Sequence, residues 1–203
     1  MHPGKQYALA VTCAFAFCSA NAATINVVNP SFEDPVLASG ASQQGSITGW
    51  DVTPGSGIVN IGTSATEGSQ AAFGAPGQLS QTLAATLQAN TRYTLQVDVG
   101  DLGSNDFDGY RITLSAGGSA ITDDSSSLDP QGGFLTSVRS YDALPGDPFI
   151  GGTLSVFIQG TSENTLFDNV RLTTAPIPEP QTYALMLAGL GLVGYARFRS
   201  KRA

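Results

Sequence analysis

The chain has 203 residues, 24 of them Gly, with 12% charged residues and a formal net charge of −7. Between Ala23 and Ala175 four arginines stand against 15 acidic residues, a net of −11, and that stretch contains no Lys, His or Cys. These figures exclude a charge-rich disordered chain and a nucleic-acid-binding surface. They also exclude His- or Cys-dependent triads, a typical zinc site and a Schiff-base lysine.

The first segment reads as an export signal. Lys5 precedes an apolar run from Tyr7 to Phe17, and Ala20-Asn21-Ala22 is a small-x-small cleavage triplet. Residues 1–22 are thus expected to be a signal peptide removed by signal peptidase. Cys13, Cys18 and His2 leave with it. A lipoprotein cut at Cys18 is rejected, because bulky Phe17 precedes that cysteine.

Residues 23–174 read as short strands and turns. The candidates are Thr24–Val28, Ile58–Ile61, Gln70–Phe73, Leu79–Leu83, Arg92–Val99, Tyr110–Ser115, Ala120–Thr122, Leu135–Tyr141, Thr153–Gln159 and Thr165–Thr173. Arg92–Val99 alternates cleanly, with Tyr93, Leu95, Val97 and Val99 on one face and Arg92, Thr94, Gln96 and Asp98 on the other. Gly117-Gly118 predicts a tight hairpin turn. Leu83–Leu87 is at most a turn. The expected class is all-β, an antiparallel β-sandwich of jelly-roll type.

Several acidic and aromatic residues invite chemistry. Asp101–Gly109 is an acidic loop whose Asp106-x-Asp108-Gly109 echoes part of an EF-hand, but Ser104 and Ser115 occupy positions where Asp and Glu are needed. It is read as a solvated hairpin loop, and Asp123-Asp124 as another exposed loop. Trp50 is either a stacking platform for sugars or a core anchor. Tyr110 and Tyr141 are further ligand-binding candidates, behind Trp50.

Asn29-Pro-Ser-Phe-Glu33, Gly49-Trp50, Arg92-Tyr-Thr-Leu and Phe167-Asp168-Asn169-Val170-Arg171-Leu172 occur in an order similar to carbohydrate-binding-module-like jelly rolls of the galactose-binding type. The resemblance implies a structural Ca²⁺ site at Glu33 and Asp168 and binding of extracellular polysaccharide. Without a cation, Glu33 would cap a turn and Asp168 would accept backbone N–H bonds.

Residues 175–203 form a tail in three parts. Pro176, Pro178 and Pro180 make an extended stretch. Tyr183–Ala196 is apolar, and Arg197, Arg199, Lys201 and Arg202 are basic. As a helix the apolar run spans about 21 Å, short of the roughly 30 Å of a bilayer core. It reads as a short transmembrane anchor, basic end in the cytoplasm, suited to transient use. Pro178-Glu179-Pro180, an apolar helix and an Arg-rich end resemble the PEP-CTERM sorting signal. That resemblance implies a Gram-negative host making exopolysaccharide and recognition of Pro178, Glu179 and Pro180 by an exosortase. It also implies passage through the inner membrane to the cell surface or matrix.

The expected function is a non-catalytic envelope or matrix protein that binds polysaccharide, with Ca²⁺ as a structural ion. A structural matrix component acting by protein–protein contacts is the alternative. A carboxylate-based glycan hydrolase or lyase is the third reading, since it needs only two acids at a set separation.

Overall fold

The computed structural model describes residues 22–74, 76–101, 103, 107, 109–161, 165–178 and 180–200. Residues 1–21 of the expected signal peptide, Glu179, Lys201, Arg202, and Asp106 and Asp108 of the acidic loop lie outside the described residues.

Alternation of apolar side chains builds two antiparallel sheets. One contains β1 (Ala23–Ile25), β2 (Ser42–Gln44), β4 (Ser56–Asn60), β5 (Gln70–Gly74), β7 (Thr91–Asp101), β10 (Phe134–Ala143) and β12 (Thr165–Pro176). Its order is β10-β7-β12-β5-β4-β2, with β1 paired to the far half of β12. The other contains β3 (Asp51–Val52), β6 (Gln78–Thr86), β8 (Tyr110–Ala116), β9 (Ser119–Ser125) and β11 (Thr153–Gly160), in the order β3-β6-β11-β8-β9. The chain crosses repeatedly between the sheets, which gives the expected jelly-roll-like sandwich.

The core lies between them. Tyr93, Leu95, Val97 and Val99 of β7 face Leu79 and Leu83 of β6, Ile112 and Leu114 of β8, and Leu154, Val156 and Ile158 of β11. All are buried, so each removes its apolar surface from water. Gly117 and Gly118 join β8 to β9 with φ of +58° and +82°. That is the two-residue hairpin geometry glycine favours. At Gly57 a Cβ would lie 2.0 Å from the Gln43 carbonyl oxygen, so glycine lets β2 approach β4.

Several boundaries differ from the sequence reading. The first strand ends at Ile25 instead of Val28, because the Val28 N–H donates to Gln81 Oε1, and Gln81 Nε2 returns a bond to the Val28 carbonyl. β6 continues through Thr86, so Leu83–Leu87 is mostly strand. β2 and β3 are too short to carry a period and were not expected. Asp123-Asp124 is not an exposed loop but part of β9, and Asp124 is 1% exposed.

The tail forms α1 (Pro180–Ser200), with Arg197 and Arg199 in its last turn. Among the described residues no helix is long and apolar enough to cross a membrane.

Candidate functional site

Three constellations gather the chemistry-bearing side chains. The first joins the N-terminal segment and β12 to the 62–70 loop. Glu33 Oε1 accepts from the Ser69 N–H at 2.8 Å and the Gln70 N–H at 2.6 Å. Asp168 Oδ2 accepts from the Thr66 N–H, the Thr66 hydroxyl and the Glu67 N–H, each at 2.9 Å, and its Oδ1 from the Asn169 N–H at 2.7 Å. Burial pushes the Asp168 carboxyl up to about 6, against the pull of those donors. Both carboxylates therefore clamp one loop, from opposite ends of the sequence.

Hard carboxylate oxygens without a basic partner suit a hard cation. Among the described residues neither Glu33 nor Asp168 makes an ion pair. Among the described residues, too, no group of three or more His, Cys, Asp or Glu side chains is arranged to hold a metal. A calcium ion here would thus draw most of its roughly six to eight oxygens from carbonyls and water.

The second constellation closes the gap between the edge strands β9 and β10. Asp124 Oδ2 accepts from the Ser137 hydroxyl at 2.5 Å, the Tyr110 hydroxyl at 2.9 Å and the Ser127 hydroxyl at 3.0 Å. Arg139 Nη2 donates to Asp124 Oδ1 at 2.6 Å. Burial works to raise the Asp124 carboxyl, but these donors and the Arg139 charge outweigh it and hold it below the ordinary carboxylate range. Tyr110 is 1% exposed and its ring contacts Phe107. It is a core phenol tying the latch together, not the open ligand-binding residue expected. Burial pushes its hydroxyl above the usual tyrosine range.

Of the two readings of Trp50, the structure gives the core anchor. It is 6% exposed, tilts against Phe32 at 5.2 Å, and its Nε1 donates to the Asn29 carbonyl at 3.2 Å. A ring enclosed in this way offers no face to a sugar.

The third constellation lies on the outer face of the five-stranded sheet. Side chains directly opposite across a ladder share a face. One row therefore runs Gln78–Gln159–Arg111–Ser125, and the next Asp51–Ser80–Phe157–Thr113–Asp123. Gln78, Arg111, Thr113, Phe157 and Gln159 line a hollow of about 200 Å³. It is smaller than the roughly 300–1,000 Å³ of drug-sized sites and suits one small ring system. At its rim Asp123 Oδ1 accepts from Arg111 Nε at 2.8 Å and the Thr113 hydroxyl at 2.7 Å, and Oδ2 from the Ser125 hydroxyl at 2.8 Å. Desolvation raises the Asp123 carboxyl. The bonds from Arg111, Thr113 and Ser125 prevail and keep it below the usual range, as a fixed anion.

Asp51 and Asp123 are the acids of that row, four strands apart, or about 19 Å at the usual strand spacing. A glycosidase pair needs about 5–9.5 Å, so these two do not form one. The sequence reading missed Phe157, Gln159, Arg111 and Asp123. The available signal was an aromatic on the polar side of β11, where Leu154, Val156 and Ile158 take the core side.

Fold and site together define a jelly-roll domain with a ring-sized hollow on its outer face, carried on a sorting tail. The model of the HpiC1-like family, described as HpiC1 cyclase, matches residues 23–173, and the chain belongs to that family. The PEP-CTERM protein-sorting motif matches residues 176–202.

Among solved structures, a Stig cyclase, Fisc, from Fischerella sp. TAU in complex with (3Z)-3-(1-methyl-2-pyrrolidinylidene)-3H-indole is 28% identical. It covers 78% of this chain and 100% of its own, with a TM-score of 0.71. A Fischerella sp. TAU cyclase in complex with 4-(1H-indol-3-yl)butan-2-one is also 28% identical, over 77% of this chain and 100% of its own, with a TM-score of 0.70. The CBM22-1 xylan-binding domain of Paenibacillus barcinonensis Xyn10C is 14% identical over 69% of this chain and 98% of its own, at a TM-score of 0.47. No curated protein matches.

These findings overturn the expectation of a non-catalytic protein. The family is one of cyclases, and cyclases of 28% identity share the fold over most of the domain. The absence of His, Cys and Lys between Ala23 and Ala175 had removed His- and Cys-dependent triads and Schiff-base chemistry. Ring closure needs none of those groups. The chain is an exported, tail-sorted protein with a jelly-roll-like sandwich.

Proposed function

We propose that this chain is a cyclase-type catalyst that works outside the cytoplasm and acts on a compact, ring-bearing substrate. The observation that carries this reading is the family match across residues 23–173. It begins at the residue after the expected signal-peptide cut, which supports removal of residues 1–22 before the domain acts. Exosortase processing at Pro178-Glu179-Pro180, passage through the inner membrane of a Gram-negative host and display at the cell surface or matrix complete the route.

The hollow around Phe157 is the proposed site. The ring face of Phe157 packs a flat substrate. The Gln78 and Gln159 amides orient its polar group. Asp123, held ionised by Arg111, Thr113 and Ser125, stabilises positive charge that develops as the ring closes. A preoriented anion contributes without reorganising during the step. Ring closure is an isomerisation: one unsaturated bond is spent to form one new bond, and no atom enters or leaves.

The test is calorimetric titration of the purified protein with 4-(1H-indol-3-yl)butan-2-one, a probe of indole recognition. Saturable binding lost in Phe157→Ala supports the site. Binding unchanged in that variant places the site elsewhere.

A second reading, polysaccharide binding in the same hollow, is favoured by an aromatic face flanked by two amides. Retardation in a xylan-containing gel, abolished by Phe157→Ala, would support it. A structural calcium ion between Glu33, Asp168 and the 62–70 loop belongs to either reading.

A further inference from the structure

The end of the sandwich from which the tail leaves is nearly free of charge. Thr91, the first residue of β7, pairs with Ala143 on one side and Pro176 on the other. The last residues of β10 and β12 therefore stand two strand spacings apart, about 10 Å. From Ala143 the chain enters the 144–152 loop, and from Pro176 it enters the tail. The 87–90 turn ties the two together. The Leu87 N–H donates to the Gly152 carbonyl and the Gly151 N–H to the Leu87 carbonyl, each at 2.9 Å, while the Ile177 N–H donates to the Asn90 carbonyl at 2.8 Å. The Gly117-Gly118 hairpin joins this end, where the Gly117 N–H donates to the Thr153 carbonyl at 2.9 Å.

Segments 86–91, 116–119, 144–152 and 174–178 contain one charged residue, Asp147, in a domain of net charge −11. Both Asp147 oxygens are satisfied within the protein. Oδ2 accepts from the Tyr141 hydroxyl, and Oδ1 from the Phe149 N–H at 2.9 Å. The loop leaves Leu144, Pro145, Pro148 and Ile150 exposed, Leu144 to 54% and Ile150 to 39%. Two turns hold its shape: the Asp147 N–H donates to the Leu144 carbonyl at 3.1 Å, and the Ile150 N–H to the Asp147 carbonyl at 3.3 Å. An apolar tip with no free charge to desolvate suits the boundary between lipid headgroups and acyl chains.

The tail says what covers this tip. Residues 177–179 alone separate β12 from α1, a reach of about 10 Å when extended. With the apolar helix seated in a bilayer, the tip is held beside the lipid surface at high effective concentration. We infer that the Leu144–Ile150 loop is a membrane-docking tip, which enters the outward leaflet of the membrane that holds the tail and seats this end of the sandwich on it. This rests on the reading of the tail as a membrane-seated sorting signal. The contact is apolar, so it needs no anionic lipid and does not weaken with salt. So few side chains hold only while the tail is attached, and tail removal frees the domain.

The test uses the signal-free chain with its tail, which contains no Cys. A spin label is placed on Pro148→Cys and the chain is mixed with phosphatidylcholine vesicles. The label is expected to become several-fold more accessible to dissolved oxygen and less accessible to a water-soluble nickel chelate, equally at about 0.1 M and about 1 M salt. A label on Asp129→Cys, in the loop at the opposite end, is expected to stay in water. Leu144→Asp with Ile150→Asp is expected to return the Pro148→Cys label to water while the chain still floats with the vesicles.

A chain that floats with the Pro148→Cys label in water, its tip otherwise unaltered, overturns the docking alone. An embedded label that the two aspartates do not move overturns the assignment to this tip. Shielding that appears without vesicles and grows with protein concentration gives the tip to a second copy of the chain and overturns the inference. A chain that does not float overturns the tail reading and the docking together.

Discussion

The Arg139 guanidinium of β10 and the Asp124 carboxylate of β9 meet at 2.6 Å, one from each sheet, and close the open side of the sandwich. Asp124 is 1% exposed, and three hydroxyls saturate it alongside the arginine. Removing one partner leaves the other groups buried without a mate. Asp124→Ala is expected to destabilise the domain by about 3 kcal/mol, read as a lower urea midpoint at unchanged slope. Arg139→Met, which keeps the apolar stem, should cost less, because the Arg139 side chain is 36% exposed.

The same pair sets the acid limit of the fold. The Asp124 and Asp123 carboxyls lie below the ordinary range in the folded state. A depressed carboxylate contributes stability that is present above its unfolded pKa of about 3.9 and is lost as pH falls through the lower folded value. Residues 23–175 contain no histidine. Asp168, raised to about 6 in the fold, acts with the opposite sign and adds stability as pH falls from about 6 towards 4. The melting temperature should therefore hold or rise between pH 7 and 5 and should drop steeply below pH 4. Asp124→Asn should flatten that drop.

Calcium is tested at the loop clamp. With Glu33 and Asp168 both holding the 62–70 loop, chelation is expected to lower the melting temperature by several degrees, with excess calcium restoring it. Linkage sets the scale: a ligand present at 100 times its Kd adds about 2.7 kcal/mol. Glu33→Gln should abolish the response. A melting temperature indifferent to chelator would mean that the N–H donors alone hold the clamp.

Sorting is tested by intact mass of the protein from native cells. A mature species starting near Ala23 and ending near Pro178–Pro180, seen only when the exosortase is present, is the expected result. A species that keeps Tyr183–Ala203 in both strains would mark an uncut anchor.

Much of the sandwich was legible because strands with one buried face announce themselves. Tyr93, Leu95, Val97 and Val99 alternate with polar neighbours, and that face is the core. The tail was legible because its proline, apolar and basic parts occur in a fixed order. The proposed site was not. Its residues come from β6, β8, β9 and β11, and strand order decides that Phe157 stands beside Thr113 and Asp123 beside both Arg111 and Thr113. Trp50 and Tyr110 were attractive as large aromatics with polar tips, yet such tips are often satisfied inside, as the Asn29 carbonyl and Asp124 satisfy these. Asp123 and Asp124 look alike in sequence. Successive strand residues face opposite sides, so one becomes the anion at the rim of the hollow and the other the latch in the core.

The most direct measurement is turnover. The purified, signal-free protein is incubated with a panel of alkene-bearing indoles, with calcium present, and the products are separated chromatographically. The account predicts a ring-closed isomer of unchanged mass for at least one substrate, formed at least tenfold more slowly by Phe157→Ala and by Asp123→Asn. No isomer from any member of the panel, with the folded state verified by circular dichroism, would contradict cyclase activity on this substrate class. An isomer formed equally fast by both variants would contradict the hollow as its site.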